Sequence, residues 1–208
     1  SFITATVSTA IVVVFGTPLA LVNARSDYAG RELVDTLTDL PIVLPPAVAG
    51  LALLMAFGRR GVIGQYLDIF GIHIGFTTLA VVMAQVFVAS PFYIRQARAS
   101  FEAVDRLYED AARTLGASRR TVALRITIPL AWGGLVSGAI LSFARALGEF
   151  GATIMFAGNF QGRTQTMPLA IYTTMQGDMD ASISLAIILV VISFAVIAAV
   201  KIVTRRSA

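Results

Sequence analysis

The chain has 208 residues, 57% of them hydrophobic and 13% charged, with a mean hydropathy of +0.80; a soluble domain carries about 25% charged residues, so this is an integral membrane protein. Cysteine is absent and His73 is the only histidine, which excludes disulfides, thiolate chemistry and a histidine-clustered metal site. The net charge of +4 and pI near 10.0 report membrane topology rather than nucleic-acid binding, because basic residues flank spans on the cytoplasmic side.

Five apolar segments follow in order. Phe2 to Val22 is long enough for about 30 Å of hydrocarbon. It has no basic region before it, so it reads as a span and not a signal peptide, and Gly16-Thr17-Pro18 predicts a kink near its end. Asn23 to Asp39 reads as a polar loop. Pro41 to Phe57 is a second span at the lower length limit, with Pro41, Pro45 and Pro46 at its start. Gly58 to Gly75 is a loop holding a short helical piece, Val62 to Phe70. Phe76 to Ile94 is the third span; it contains Gln85, which either bonds a neighbouring helix or lines a pathway, and Pro91 predicts a bend at its end. Ile126 to about Phe156 is a fourth, over-long span, which implies a tilt or a break. Asn159 to Asp180 is an external loop with a short helix at Pro168 to Met175. Ala181 to Val200 is the fifth span, followed by Lys201, Arg205 and Arg206.

Between the third and fourth spans lies the most charged stretch, Arg95 to Arg125. Within it Phe101, Val104, Leu107, Tyr108, Ala111, Ala112 and Leu115 recur at helical spacing. Glu102, Asp105, Arg106, Glu109, Asp110 and Arg113 make the wet face, with Glu102–Arg106 and Glu109–Arg113 as i,i+4 pairs. Gly116 falls where a left-handed cap is expected, and Ser118 N-caps the helix that leads into the fourth span. On periodicity alone this is equally a solvated loop. Its residues add more: Asp110-Ala111-Ala112, Gly116, Ile126, Ile128 and Pro129 match the spacing of the EAA signature of ABC importer permeases, with Asp110 in place of Glu and Ile128 in place of Leu. The resemblance implies a coupling helix, within residues 101–129, that docks on an ATP-hydrolysing subunit through Glu109, Asp110, Ala111, Ala112, Gly116, Ile126 and Pro129.

With that stretch inside, alternation puts 23–39 and 201–208 inside too. These regions hold twelve of the sixteen Lys and Arg residues, a clear positive-inside bias with a cytoplasmic C-terminus. Ser1 then falls outside, which leads us to expect a further span before it in the natural chain.

Arg145 and Glu149 are the only full charges in the predicted spans. Four residues apart, they either neutralise each other or serve a pathway. Gly148 and Gly151 beside them allow close helix packing. There is no G-x-x-x-x-G-K-[ST] phosphate loop, so the chain is not itself the ATPase. An ion-coupled secondary transporter is the rival class, but only Glu149 is available as a mid-membrane acid and no internal repeat is visible. A membrane-embedded enzyme lacks converging polar residues.

The run Ala144 to Tyr172, ARALGEFGATIMFAGNFQGRTQTMPLAIY, resembles molybdate and tungstate permease subunits, and more distantly those for sulfate and thiosulfate. The expected fold is therefore all-α: a polytopic bundle of five spans and a cytoplasmic coupling helix, forming one permease domain over 1–208 in the cell (inner) membrane. The resemblance implies a second permease copy, two ATPase subunits that use ATP and Mg, and an extracytoplasmic oxyanion-binding protein. It implies no cofactor on this chain and no nucleic acid. The pathway is expected to be lined by small and hydroxyl side chains, with Gln85, Ser137, Ser142 and Thr153 as candidates beside Arg145 and Glu149, and without an arginine cluster that would hold a dianion too tightly.

Overall fold

The structure, a computed structural model, describes residues 1–205, with side chains through 198; Arg206 of the basic tail lies outside them. The described residues form helices and turns only. Four helices are long and apolar enough to cross a membrane, or five if the bent pair 31–43 and 46–57 counts as one broken span.

The first helix, α1 (Phe2–Arg25), buries Ala5, Ser8, Val12, Gly16, Ala20, Asn23 and Ala24. These positions are three or four apart, so they form one stripe, and most are small enough to bring backbones together. The stripe lies on α5 (Thr78–Glu102), the central post of the bundle. A Cβ on Gly16 would meet the Tyr93 ring at 3.0 Å, and the Thr17 hydroxyl is hydrogen-bonded to that of Tyr93. α1 stays helical through Pro18.

Pro91 likewise does not end α5, which runs eleven residues beyond it. Proline leaves the carbonyl four residues back without its amide donor. Here that carbonyl belongs to Phe87, and the Ser90 hydroxyl donates to it at 3.1 Å. In lipid such a local donor is what lets a proline sit inside a helix.

The stretch expected as a polar loop is largely helix: α2 spans Arg31–Val43. Its acids find bases on the far end of α5, with Asp35 2.7 Å from Arg98 Nη1 and Asp39 2.6 Å from Arg95 Nε. The polar face of α2 therefore packs inward, while Leu33, Leu37 and Val43 face out. The expected second span is also corrected. Pro41 ends up inside α2, and the chain bends by 118° before α3 (Pro46–Phe57). Pro45 stands at the N-cap and Pro46 in the first turn, the position where a missing amide costs least. At twelve residues α3 reaches about 18 Å, too short to cross alone.

After α4 (Gly64–Ile69) and α5 come α6 (Arg106–Thr114), α7 (Arg119–Val122), a π turn at Ala123–Thr127 and α8 (Ile128–Leu147). Arg119 to Leu147 forms one helical rod of 29 residues, about 43 Å at 1.5 Å per residue. That exceeds the roughly 30 Å of hydrocarbon, so the rod tilts or extends beyond it. The expected break follows: after Gly148–Phe150 comes α9 (Gly151–Ala157), then α10 (Met167–Met175) and α11 (Met179–Arg205).

α9 crosses α3 at backbone contact. A Cβ on Gly50 would lie 2.5 Å from the Ala152 carbonyl oxygen, and one on Gly151 2.8 Å from Pro46 Cβ. Gly50→Leu should force the two helices apart at a cost of about 1–3 kcal/mol. We expect a lower thermal midpoint for the detergent-purified protein. Gly133→Ala, where a Cβ meets nothing within 4 Å, should hold or raise it.

Candidate functional site

Two places gather the polar residues, one at an end of the bundle and one inside it. The C-terminal ends of α1 and α5, the start of α2, and α6 with α7 meet at the basic end. The expected single amphipathic helix over 101–115 is divided there. Phe101 closes α5, and Asp105 starts α6 by accepting the Leu107 amide at 2.9 Å. Phe101 and Val104 are buried, whereas Leu107, Tyr108 and Leu115 point away from the protein. Glu102 pairs with Arg98 at 2.8 Å rather than with Arg106.

Gly116 follows α6 with φ +85°, the left-handed geometry a short turn between helices requires. Its amide reaches the Arg113 carbonyl and the Ala117 amide the Ala112 carbonyl. Ser118 then caps α7 by accepting the Thr121 amide at 3.2 Å. Pro129 lies in the first turn of α8 and has no amide for the preceding turn. The π turn sits just before it, with the Ile128 amide bonded to the Ala123 carbonyl five residues back. Of the residues named for this region, Asp110, Ala111, Gly116 and Pro129 are exposed, and Ala112 and Ile126 are half-buried.

Glu109 is different. It is 4% exposed and turned inward. Its Oε1 lies 2.9 Å from Arg25 Nε and accepts the Thr127 hydroxyl at 2.8 Å. Arg25 Nη2 also donates to the Val104 carbonyl at 2.8 Å. Sequence reasoning gave neither Arg25 nor Thr127 a role. The available signal was slight: a lone arginine ending an apolar run, and a threonine one residue past Ile126.

Inside the bundle, Arg145 Nη1 lies 2.6 Å from Glu149 Oε2. Glu149 is 1% exposed, and its other oxygen accepts the Ala152 amide at 2.7 Å. The carboxylate is thus neutralised on one side while it caps the first turn of α9 on the other. This is how a charge is tolerated at membrane depth. Gln85 is fully buried and joins three helices. It accepts from the Ser8 hydroxyl at 3.1 Å and donates to the Ala146 carbonyl at 3.0 Å, just before the break that ends α8. Ser137 is half-buried and donates to the Gly133 carbonyl of its own helix. Ser142 and Thr153 are buried with hydroxyl oxygens that have no partner. Among the described residues no group of His, Cys, Asp and Glu could hold a metal ion.

The comparisons agree with this architecture. The chain is 48% identical over 194 residues, 93% of its length and 74% of the relative's, to the molybdenum transport system permease protein ModB of Mycobacterium tuberculosis. It is 44% identical over 189 residues, 86% and 82% of the two lengths, to the protein of that name from Escherichia coli K12. In structure it matches a chain of the MetNI methionine ABC transporter in an inward-facing conformation, with a TM-score of 0.75 at 18% identity, covering 100% of this chain and 92% of that one. At that identity the match speaks for the fold alone. Residues 12–208 match the model of the binding-protein-dependent transport system inner membrane component, and the chain belongs to that family, the multi-pass permeases of ABC importers.

Proposed function

We propose that this chain is the membrane-spanning subunit of an importer for a tetrahedral oxyanion, molybdate first, driven by ATP hydrolysis on a partner. In this reading α6 is the coupling helix and the basic end is cytoplasmic, as is the C-terminus. The assembly has two permease copies, two ATPase subunits and an external binding protein. ATP-driven closure of the ATPase pair moves both α6 helices, and the attached spans open the pathway outward to receive the anion. The observation that carries the coupling is the outward apolar face of α6. Leu107, Tyr108 and Leu115 are exposed at the charged end of the molecule, and exposed apolar side chains gathered among charges are what a docking partner would cover. The anion is supported by the 44–48% identity to permeases named for molybdenum.

The interior fits a weakly held dianion. Arg145, beside the α8–α9 break, is already neutralised by Glu149, while Ser142 and Thr153 offer unpaired hydroxyls. A permease fed by a binding protein gains nothing from a deep electrostatic trap, because release must follow entry.

The test is uptake of molybdate into proteoliposomes holding the permease, its ATPase and its binding protein. Uptake should require ATP and yield to excess tungstate more readily than to excess sulfate. Uptake driven by a proton or sodium gradient without ATP would contradict the reading. Competition strongest with sulfate would move the substrate while keeping the mechanism.

A further inference from the structure

Glu109 is an acid buried on the very helix that exposes its apolar side chains. α6 is not held by a hydrophobic seam: its large apolar residues Leu107 and Tyr108 face away from the bundle. Behind it lies a cleft of about 390 Å³, with Arg25, Glu109, Arg113, Arg119 and Thr127 on its walls. Short turns flank it, Ala103–Asp105 on one side and Gly116 on the other. A short helix between two turns, with a cleft behind it, would yield under load unless polar bonds hold it. Those bonds are the Arg25–Glu109 ion pair, the Thr127–Glu109 hydrogen bond and the Arg25 bond to the Val104 carbonyl. They join the end of α1, the α5–α6 turn, α6 and the π turn of the 29-residue rod. Arg113 adds a looser contact to Glu109 at 3.7 Å.

We propose that Arg25 and Glu109, with Thr127, form a clasp that makes α6, α1 and the α7–α8 rod move as one body, so that displacement of α6 reaches the spans instead of being absorbed in its flanking turns. These are positioning residues. They act from behind the helix and do not touch the partner. Arg25 Nε faces Glu109 as a close ion pair without hydrogen-bond geometry, while the Arg25–Val104 and Thr127–Glu109 contacts are hydrogen bonds to or from a charged group, directional and about twice as strong as neutral ones. The inference rests on α6 being the coupling helix.

The test compares wild type, Glu109→Gln, Arg25→Lys and the double variant Arg25→Met/Glu109→Leu in the assembled transporter in proteoliposomes. Each carries Leu115→Cys for cross-linking to the ATPase. Three quantities are read: cross-link yield, ATP hydrolysis, and molybdate taken up per ATP hydrolysed. The clasp predicts that cross-linking and hydrolysis persist in Glu109→Gln while uptake per ATP falls tenfold or more. Arg25→Lys should recover at least half of the wild-type ratio, because the charge and part of the reach remain. The double variant strands no charge, so it folds even where a single change does not, and its ratio must fall as well. An unchanged ratio in the double variant overturns the clasp and leaves the coupling helix standing. A loss of cross-link, hydrolysis and uptake in proportion also overturns it, since that is a structural role only. Absence of the cross-link in wild type removes the coupling reading itself, and the clasp with it.

Discussion

Gly116→Asp should leave the permease inserted and folded while lowering its co-purification with the ATPase tenfold or more. Gly116 has φ +85°, and a Cβ there would meet nothing within 4 Å. The only intrinsic cost is the left-handed backbone, about 1 kcal/mol for most side chains. That is too little to unfold a bundle whose core lies elsewhere. The larger effect is at the surface. Gly116 is exposed at the end of α6, beside Leu115, which is 89% exposed. A carboxylate placed there must be desolvated when a partner covers the face, which costs several kcal/mol if it stays unpaired. Gly116→Asn separates the two causes, since asparagine tolerates the left-handed region and carries no charge. It should retain most of the binding. Asp110→Ala should reduce transport more mildly, by removing one exposed carboxylate from the same face. The measurement is pull-down of the ATPase with anion-stimulated ATP hydrolysis in membranes.

Arg145→Met should be the most destabilising change in the interior. It strands the Glu149 carboxylate, which is 1% exposed, and removing one partner of a buried pair costs about 3–5 kcal/mol. The double variant Arg145→Met/Glu149→Gln should recover most of that loss. Glutamine keeps an oxygen that can accept the Ala152 amide, now bound at 2.7 Å, and leaves no charge behind. Thermal midpoints of the detergent-purified variants read the ordering directly. If Arg145→Met is as stable as wild type, the pair is not what holds the α8–α9 break.

The sequence made local features legible where both partners lie within a few residues. Gly116 takes the left-handed turn its place after the apolar positions requires. Ser118 caps the helix it precedes, and Arg145 meets Glu149 one turn later. The excess length of the fourth span implied a tilt or a break, and the structure has the break, at Gly148–Phe150. What stayed hidden depends on residues far apart in the chain. Asp35 and Asp39 made α2 look like a loop because their partners, Arg98 and Arg95, lie on another helix. That α5 runs on eleven residues past Pro91 was not legible, because periodicity does not register that the Ser90 hydroxyl reaches the freed Phe87 carbonyl. Glu109 read as part of a wet face because its i,i+4 neighbour Arg113 was visible and Arg25 was not. In the structure Arg113 is the looser contact, at 3.7 Å against 2.9 Å for Arg25. The apolar stripe of 101–115 was correct in its residues and wrong in its continuity, since the turn at Asp105 sends Phe101 inward and Leu107 outward.

The central claim is that the outward face of α6 is where the ATPase docks. The 208-residue sequence contains no cysteine, so a single introduced thiol is the one reactive thiol among these residues. Leu115→Cys lies on that face. Val62→Cys, at another open residue near α4, lies on the far side of the bundle from α6. With the assembled transporter in membranes and a short thiol-to-amine cross-linker, the account predicts an ATPase adduct from Leu115→Cys and none from Val62→Cys. No adduct from Leu115→Cys in a complex that co-purifies intact, or equal adducts from both positions, would contradict it.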